Sequence, residues 1–201
     1  MFIDHGVDVL ACYCNAVHGQ DGWGSMPASF GNLIRATAEI NESIFPVRHE
    51  CCDYQIDSGG PGRWRGCPGS RVVKRTLVPA GMSTWMVGMK YPMAGVEGGH
   101  DGSPNQLTVR FDTSPERISN IANAVPHAAG EGFEYLYGGG AGYGDPFERD
   151  PRAVLDDVLD ELVSVEAAER DYGVAFTGTV EAWDLAVDET RTARLRAGKR
   201  A

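Results

Sequence analysis

The chain has 201 residues, a length that suits one domain or one domain with an appendage. Hydrophobic residues make up 42% and charged residues 23%, a balance typical of a globular protein. The formal net charge is −10. Because a nucleic-acid or anionic-membrane surface needs clustered Lys and Arg, this charge argues against both kinds of partner.

The sequence also argues against secretion and membrane insertion. Its apolar runs are far shorter than the ~20 residues of a transmembrane helix. The N-terminus carries two Asp and a His where a signal peptide has its basic residues. The five cysteines, an odd number with two closely spaced pairs, do not fit a secreted disulfide framework. We therefore predict a cytoplasmic protein.

The first elements in chain order are a helix and an extended segment. Residues 36–45 (ATAEINESIF) favour a helix, which Pro46 ends, and residues 46–56 (PVRHECCDYQI) favour extended chain. The segment between the N-terminus and this helix has mixed character, so we predict no specific element there.

The middle of the chain has the pattern of a β-sheet. Residues 71–78 (RVVKRTLV) and 83–90 (STWMVGMK) flank Pro79, Ala80 and Gly81, a pattern that predicts a hairpin with a short loop. Residues 106–111 (QLTVRF) predict a further strand. Residues 71–137 are therefore expected to form an antiparallel β unit.

The tail is predicted to be helical. Asp150 is a good N-cap, and Pro151 occupies the favoured first position of a helix. The following apolar side chains share one face of that helix: Val154, Leu155, Val158, Leu159 and Leu162. Acidic side chains take the opposite face, which we expect to be solvent-exposed: Asp156, Asp157, Asp160 and Glu161.

Two more helices are expected after this one. Ser164 can cap a helix over residues 165–172, which Gly173 would end. Residues 188–200 (DETRTARLRAGKR) place cations near a helix C-terminus, where the helix dipole favours them. We predict an α+β fold, with a β-rich region over residues 1–144 and an acidic helical tail over residues 145–201.

Glycine-rich stretches could bind anions or simply form turns. Residues 138–144 are followed by a helix and invite a phosphate-loop interpretation. Asp145, however, stands where a phosphate-contacting Lys is needed, and no register fits a dinucleotide fingerprint. We therefore predict structural turns at the following glycines: Gly59, Gly60, Gly62, Gly138, Gly139, Gly140, Gly142 and Gly144.

The cysteines offer two chemical alternatives to ordinary reduced thiols. A zinc site or a Cys/His nucleophile would draw on the following residues: Cys12, Cys14, His18, Asp21, Cys51 and Cys52. Neither the C-x-C nor the C-C spacing is the knuckle that a tetrahedral zinc site uses, and no second knuckle exists. The sequence gives a nucleophile pair no local signature. We predict reduced cysteines and no metal in this chain.

Arg63 and Arg65 are the strongest candidates for anion binding. If residues 63–65 are extended, both guanidinium groups point to one side and can grip a carboxylate or phosphate. The alternative is that Asp57 or a neighbouring acid neutralises them while the glycines supply positive-φ turns. His100 and Asp101 lie in a loop that could be exposed at a partner interface. The full candidate set for substrate or partner binding is Arg63, Arg65, Asp57, Trp23 and His100.

Several long motifs resemble one protein family. Residues 57–70 (DSGGPGRWRGCPGS) and 137–174 resemble the C-terminal part of the hydantoinase B family, which includes the matching portion of 5-oxoprolinase and relatives in acetone and acetophenone carboxylases. GWGS at 22–25 is similar to that family's GGWGA element, and residues 39–48 are similar to its E-x-x-E-x-x-[YF]-P stretch. Residues 187–197 are similar to its usual ending. The motifs occur in the family's order along nearly the whole chain.

The resemblance implies a partner and a reaction. The family works with a hydantoinase A-type subunit that binds ATP and phosphorylates the carbonyl oxygen of a cyclic amide or an enolisable ketone, so that this oxygen can leave. Hydrolysis or carboxylation follows. We expect no cofactor in this chain, with ATP and a divalent metal in partner subunits of a hetero-oligomer. The alternatives are a subunit of a ketone carboxylase and a non-catalytic structural subunit.

The chain departs from the family pattern in two ways. A full subunit is several hundred residues long, and its earlier part carries His and Asp metal-ligand motifs that are not found here. We therefore expect a C-terminal third, as a split or truncated subunit that is inactive alone and needs a companion carrying the N-terminal hydantoinase B region. In addition, Cys67 stands where the family usually has Gly, and a side chain there narrows the allowed backbone.

Overall fold

The computed structural model describes residues 14–23, 37–84, 86–118 and 121–199. Four α-helices are present in these residues: α1 (Ala38–Ile44), α2 (Pro151–Leu159), α3 (Val165–Tyr172) and α4 (Glu189–Lys199). A short 3₁₀ helix spans Pro146–Glu148. The strands are β1 (Val47–Gln55), β2 (Gly69–Thr76), β3 (Ala80–Thr84), β4 (Gln106–Val109), β5 (Glu116–Ile118), β6 (Ala122–His127), β7 (Gly132–Tyr137), β8 (Phe176–Thr177) and β9 (Ala186–Val187).

Five strands form an antiparallel sheet in the order β1-β2-β7-β4-β5. One face of this sheet buries a cluster made by Leu107, Val109, Ile118 and Phe133. The separate antiparallel pair β3-β6 contributes Met82 and Val125 to the same cluster. The α+β class and the antiparallel β unit are therefore confirmed, although the main sheet begins earlier than predicted, at β1.

The predicted hairpin between residues 71–78 and 83–90 is wrong. β2 pairs with β1 on one side and β7 on the other, so both of its edges are already occupied. The chain therefore leaves the sheet after Thr76, and β3 pairs with β6 instead. Ala80 and Gly81 belong to β3 rather than to a loop, and β3 ends at Thr84.

The predicted helix caps of the tail are confirmed. The Asp150 carboxylate accepts a hydrogen bond from Arg152 N at the start of α2, and the Ser164 hydroxyl accepts one from Ala167 N at the start of α3. Gly173 ends α3 with φ 61°, in the left-handed region. The third predicted helix corresponds to α4.

The tail has its own apolar core, which we call the tail cluster: Val154, Val158, Val163, Ala167, Ala168, Tyr172 and Val174. Two predictions about α2 are wrong. Leu159 is 46% exposed, and Asp157, expected on the solvent face, is only 5% exposed. Asp157 is buried because arginines from other parts of the chain cover that side of α2.

The division at residues 144 and 145 stays a prediction. Hydrogen bonds cross it: Asp57 N donates to Leu162 O at 3.1 Å, and the Asp57 carboxylate accepts from both the amide and the hydroxyl of Ser164 at 2.7 Å. Among the described residues, none of the helices has the length and apolar character needed to cross a membrane.

Candidate functional site: the glycine bundle and the buried ion network

Three irregular segments pack side by side next to the main sheet: residues 57–68, 93–102 and 138–144. We call them the glycine bundle. Backbone hydrogen bonds join them directly, with Gly60 N donating to Gly140 O at 2.8 Å and Gly142 N donating to His100 O at 3.0 Å. Residues 14–23 attach to the same bundle, since Ala16 N donates to Ala141 O at 2.8 Å.

The bundle glycines allow neighbouring backbones to approach closely. A Cβ on Gly140 would lie 2.1 Å from Cys14 O, and one on Gly142 would lie 2.1 Å from Pro61 O. The same holds for five more of the glycines predicted as turns, where the nearest backbone oxygen would be 2.1–2.5 Å away: Gly59, Gly60, Gly62, Gly138 and Gly139. Of the eight predicted turn glycines, Gly144 alone has positive φ, at 73°. The positive-φ explanation is therefore wrong for the other seven, which are packing glycines.

The backbone N–H groups of residues 138–144 all donate within the chain. Gly138 N binds the Asn105 side chain at 2.7 Å, Gly139 N binds Ser103 Oγ at 3.0 Å, and Ala141 N binds the Asn15 side chain at 2.8 Å. The other four bind the carbonyl oxygens of Cys67, His100, Trp64 and Val96. A phosphate loop needs N–H groups that point at a ligand, so this run is structural.

Four buried or half-buried charged groups form an ion network between the glycine bundle and α2: Asp21, Arg65, Arg149 and Asp157. Arg65 Nε donates to Asp157 Oδ1 at 3.1 Å, and Arg149 Nε donates to Asp157 Oδ2 at 3.0 Å. Arg149 also grips Asp21 with two bonds, at 2.7 and 2.9 Å. Asp157 therefore joins two arginines, and Arg149 joins two carboxylates.

The charges of the network stabilise one another. Burial raises the pKa of Asp157 above its usual value, and the charges of Arg65 and Arg149 oppose that increase. Burial alone would also raise the pKa of Asp21, but the hydrogen bonds and charge of Arg149, with the Arg65 amide, lower it. Burial alone would lower the pKa of Arg149, but the hydrogen bond and charge of Asp21 and the charge of Asp157 raise it.

Further hydrogen bonds connect the network to α4. Arg196 donates to Arg149 O at 2.7 Å and to Tyr172 O at 3.2 Å. Arg149 itself donates to Arg63 O at 3.2 Å. The network thus connects residues 14–23, the first bundle segment, α2 and α4, and its evident role is to hold these parts together.

The structure separates the guanidinium groups of Arg63 and Arg65. Arg65 is buried against Asp157, whereas the half-exposed Arg63 approaches Glu148 at 3.4 Å and lies over the Trp64 ring at 4.9 Å from the centroid. The acid that neutralises Arg65 is thus Asp157 and not Asp57. Arg63 also lines an open pocket of about 690 Å³, together with Phe147, Glu148, Ala193, Arg196 and Ala197.

The other candidate residues lie in different surroundings. Asp57 has φ 59° and holds the start of α3 through Ser164. Trp23 is 72% exposed. His100 is exposed, and its backbone joins two bundle segments by donating to Pro61 O. A role of these residues in substrate or partner binding stays a prediction.

The described cysteine and histidine residues are not assembled around a metal position. Within residues 14–23, 37–84, 86–118 and 121–199, no group of three or more His, Cys, Asp or Glu could hold a metal ion. His18 packs against the rings of Trp64 and Tyr143 at 4.7 and 6.0 Å. Asp21 is taken by the ion network, and Cys12 lies outside the described residues.

Comparison with known proteins identifies the family. The model of the Hydantoinase B/oxoprolinase family matches residues 7–146. The chain belongs to the hydantoinase B/oxoprolinase family. It is 30% identical over 193 residues to the putative B-type subunit of a D-/L-hydantoinase from Pseudomonas sp. (strain NS671), a match that covers 94% of this chain and 32% of that protein.

Two solved structures share the fold of this hydantoinase B/oxoprolinase family member. The ATP-dependent caprolactamase from Pseudomonas jessenii matches with a TM-score of 0.73 and 27% identity, over 94% of this chain and 33% of that one. A nucleotide-free acetone carboxylase matches with a TM-score of 0.74 and 21% identity, over 96% and 30%. The chain therefore spans about a third of the length of these relatives and corresponds to their C-terminal part.

The sequence does not reveal the ion network of this family member. In the sequence, Arg149 is notable only as part of a family motif. The apolar pattern of α2 places Asp157 on the solvent-exposed face with the other acidic residues. The sequence offers little to distinguish buried Asp157 from exposed Asp156, because the two residues have the same side chain and occupy adjacent positions on α2. Their difference arises from which side of the helix meets Arg65 and Arg149.

Proposed function

We propose that this chain is the C-terminal part of a hydantoinase B-type component of an ATP-dependent cyclic-amide hydrolase in the cytoplasm. It acts with an ATP-binding hydantoinase A-type partner and with a companion that carries the N-terminal hydantoinase B region. The observation that carries this proposal is the family match over residues 7–146, together with the similarity to a B-type hydantoinase subunit along 94% of the chain.

In the proposed reaction the partner transfers a phosphoryl group from ATP to the amide oxygen of the substrate. A carbonyl oxygen leaves poorly, but the phosphorylated oxygen is a good leaving group, so water can then open the ring. We assign ATP and a divalent metal to the partner subunits. The arrangement of this chain supports that assignment, because the amides of residues 138–144 and the Arg65 guanidinium are already engaged within the chain.

Two alternatives to the cyclic-amide hydrolase have some support. A ketone carboxylase uses the same activation of a carbonyl oxygen, and the acetone carboxylase has the same fold. A non-catalytic structural subunit fits the internal neutralisation of the ion network. The proposed hydrolase is favoured because the relative over 193 residues is a putative hydantoinase subunit.

The test is reconstitution of a three-component complex. The full chain would be co-purified with a hydantoinase A-type ATPase and a separate N-terminal hydantoinase B polypeptide, and ATP hydrolysis would be measured with cyclic amides and, in parallel, with ketones plus bicarbonate. We expect cyclic amides to stimulate ATP turnover when all three components are present, and no turnover by this chain alone.

The controls separate the alternatives. Omitting this chain should abolish the stimulation. Stimulation by ketones and not by amides would replace the hydrolase with the carboxylase. If amide hydrolysis is unchanged when this chain is omitted, the chain is a non-catalytic structural subunit. Failure of the three components to associate would overturn the proposal.

A further inference from the structure

Cys14 and Cys67 are neighbours where residues 14–23 meet the glycine bundle. Cys67 N donates a hydrogen bond to Cys14 O at 3.1 Å. Gly22 packs against this hydrogen bond, since a Cβ on Gly22 would lie 2.1 Å from Cys14 O and 2.5 Å from Cys67 N. The neighbouring Cys67 thiol also contributes to raising the pKa of the Cys14 thiol. The two residues are thus neighbours whose backbones are joined by a hydrogen bond.

This proximity suits a disulfide. Disulfide-bonded residues have Cα atoms about 4.4–6.8 Å apart, and residues joined by a backbone hydrogen bond between adjacent extended segments lie roughly 5 Å apart. Both cysteines are reduced in this structure. The backbone hydrogen bond between Cys67 and Cys14 therefore places the two residues within the range of separations at which disulfides form.

The two thiols differ in accessibility. Cys14 is partly exposed, whereas Cys67 has no exposed surface. A dissolved oxidant can therefore reach Cys14 first, and Cys67 is positioned to react with the mixed disulfide that forms on Cys14. This is the arrangement of an attacking thiol and a resolving thiol.

We propose that Cys14 and Cys67 form a redox-active dithiol that closes reversibly into a disulfide. With oxidised glutathione as the oxidant, the Cys14 thiolate attacks one glutathione sulfur, that S–S bond breaks, and one glutathione thiolate leaves. The Cys67 thiolate then attacks the Cys14 sulfur of the mixed disulfide and expels the second glutathione thiolate. The two protons lost by the cysteines are taken up by the two leaving thiolates. The protein loses two electrons, and one oxidised glutathione becomes two reduced molecules.

The disulfide would fix residues 14–23 to the first segment of the glycine bundle. These two segments also share a contact of the ion network, because Arg65 N donates a hydrogen bond to the Asp21 carboxylate at 2.7 Å. The disulfide would therefore also hold Asp21 next to Arg65. The reaction should be faster at high pH, because burial, followed by the neighbouring Cys67, raises the pKa of the Cys14 thiol and the thiolate is the nucleophile.

Cys51 and Cys52 provide the matched control. They are also partly exposed, but they lie on β1, where Cys51 contacts Arg71 rather than another cysteine of a neighbouring strand. Trypsin separates the groups, because cleavage after Arg35, Arg48, Arg63, Arg65 and Arg71 places Cys12 and Cys14 in residues 1–35, Cys51 and Cys52 in residues 49–63, and Cys67 in residues 66–71.

The experiment uses the full folded chain equilibrated with oxidised and reduced glutathione, quenched with N-ethylmaleimide, digested and analysed by mass spectrometry. We expect residues 66–71 linked to residues 1–35 in the wild type and in Cys12→Ser, and no such link in Cys14→Ser. The bond closes a long loop, so the melting temperature of the oxidised chain should rise by on the order of 10 °C, and Cys14→Ser should lose this rise.

Three results would overturn the proposal. One is residues 66–71 recovered unlinked from fully oxidised wild-type chain. Another is a link that persists in Cys14→Ser but disappears in Cys12→Ser, which would assign the reaction to Cys12. The third is a link between residues 66–71 and residues 49–63. The wild-type map decides the first and third cases even if a variant fails to fold.

Discussion

The glycine bundle and the tail cluster are stabilised in opposite ways. In the bundle, backbones touch directly, and a Cβ on Gly66 would lie 2.0 Å from Gly140 O. In the tail cluster, α2 and α3 are held apart by side chains such as Val154, Val158 and Tyr172. The bundle therefore tolerates almost no added atoms, whereas the tail cluster depends on apolar volume, which several residue types can supply.

The ion network lies between these two regions and belongs to both. Arg65 comes from the bundle, and Asp157 comes from the same helix as Val158. Removal of one charge from such a network leaves its partners buried and unpaired, which costs more than the network itself contributes. The variants below distinguish the three kinds of stabilisation, from the largest expected effect to the smallest.

Asp157→Ala is expected to have the largest effect. It leaves Arg65 without its carboxylate and Arg149 with only Asp21, so the free energy of unfolding should fall by about 3–5 kcal/mol. Urea denaturation of the full chain measures this fall. Asp156→Ala, at the exposed neighbouring position, is the control and should change stability by less than about 0.5 kcal/mol. Equal effects of the two substitutions would contradict the burial of Asp157.

Gly140→Ala tests the packing of the bundle. The added Cβ would meet Cys14 O at 2.1 Å, so the backbones must separate, at a cost of about 3 kcal/mol. The control is Gly198→Ala in α4, where nothing lies within 4 Å of the added atom; it should be neutral or stabilising by up to about 1 kcal/mol. A Gly140→Ala protein that melts with the wild type would show that the bundle can open locally.

Val158→Ala tests the tail cluster. The side chain is 4% exposed, and loss of its two methyl groups should reduce the free energy of unfolding by about 2 kcal/mol through lost burial and a small cavity. Leu159→Ala removes more carbon from a half-exposed position and should cost less. Thermal unfolding of the two variants gives the comparison, and the reverse order would contradict the assigned face of α2.

Arg63→Ala should have the smallest effect on stability. Both members of its ion pair with Glu148 are about half exposed, and such pairs contribute less than about 1 kcal/mol. If Arg63 contacts the substrate or the partner, as predicted, the variant should lower ATP turnover of the reconstituted complex while its melting temperature is unchanged. Unchanged turnover would restrict Arg63 to its contacts with Trp64 and Glu148.

The local features of the fold can be predicted from the sequence, because their causes are local. Asp150, Pro151, Ser164 and Gly173 fix helix ends through bonds to residues a few positions away. The pairing of β2 with β7 cannot be predicted in this way, since it joins residues 57 to 67 positions apart and competes with a plausible hairpin to β3. The alternation of apolar and polar residues predicts an antiparallel sheet, but it does not predict the order of the strands.

The candidate site is harder to predict, for a related reason. The sequence indicates that Arg63 and Arg65 need anionic partners. The carboxylate that binds Arg65 belongs to Asp157, which is 92 residues away in sequence. Most glycines of residues 138–144, predicted as turns, instead lie in contact with backbones from distant segments. Sequence patterns identify such residues as unusual without revealing what they meet.

A glycine-rich stretch is usually taken for a flexible linker, and residues 138–144 are the richest such stretch in the chain. Here every N–H of the stretch has an acceptor, and much of it is buried. Amide hydrogen exchange reports how often such bonds open. The amides of these glycines should therefore be among the slowest-exchanging in the protein. Limited proteolysis should cleave the chain outside this stretch.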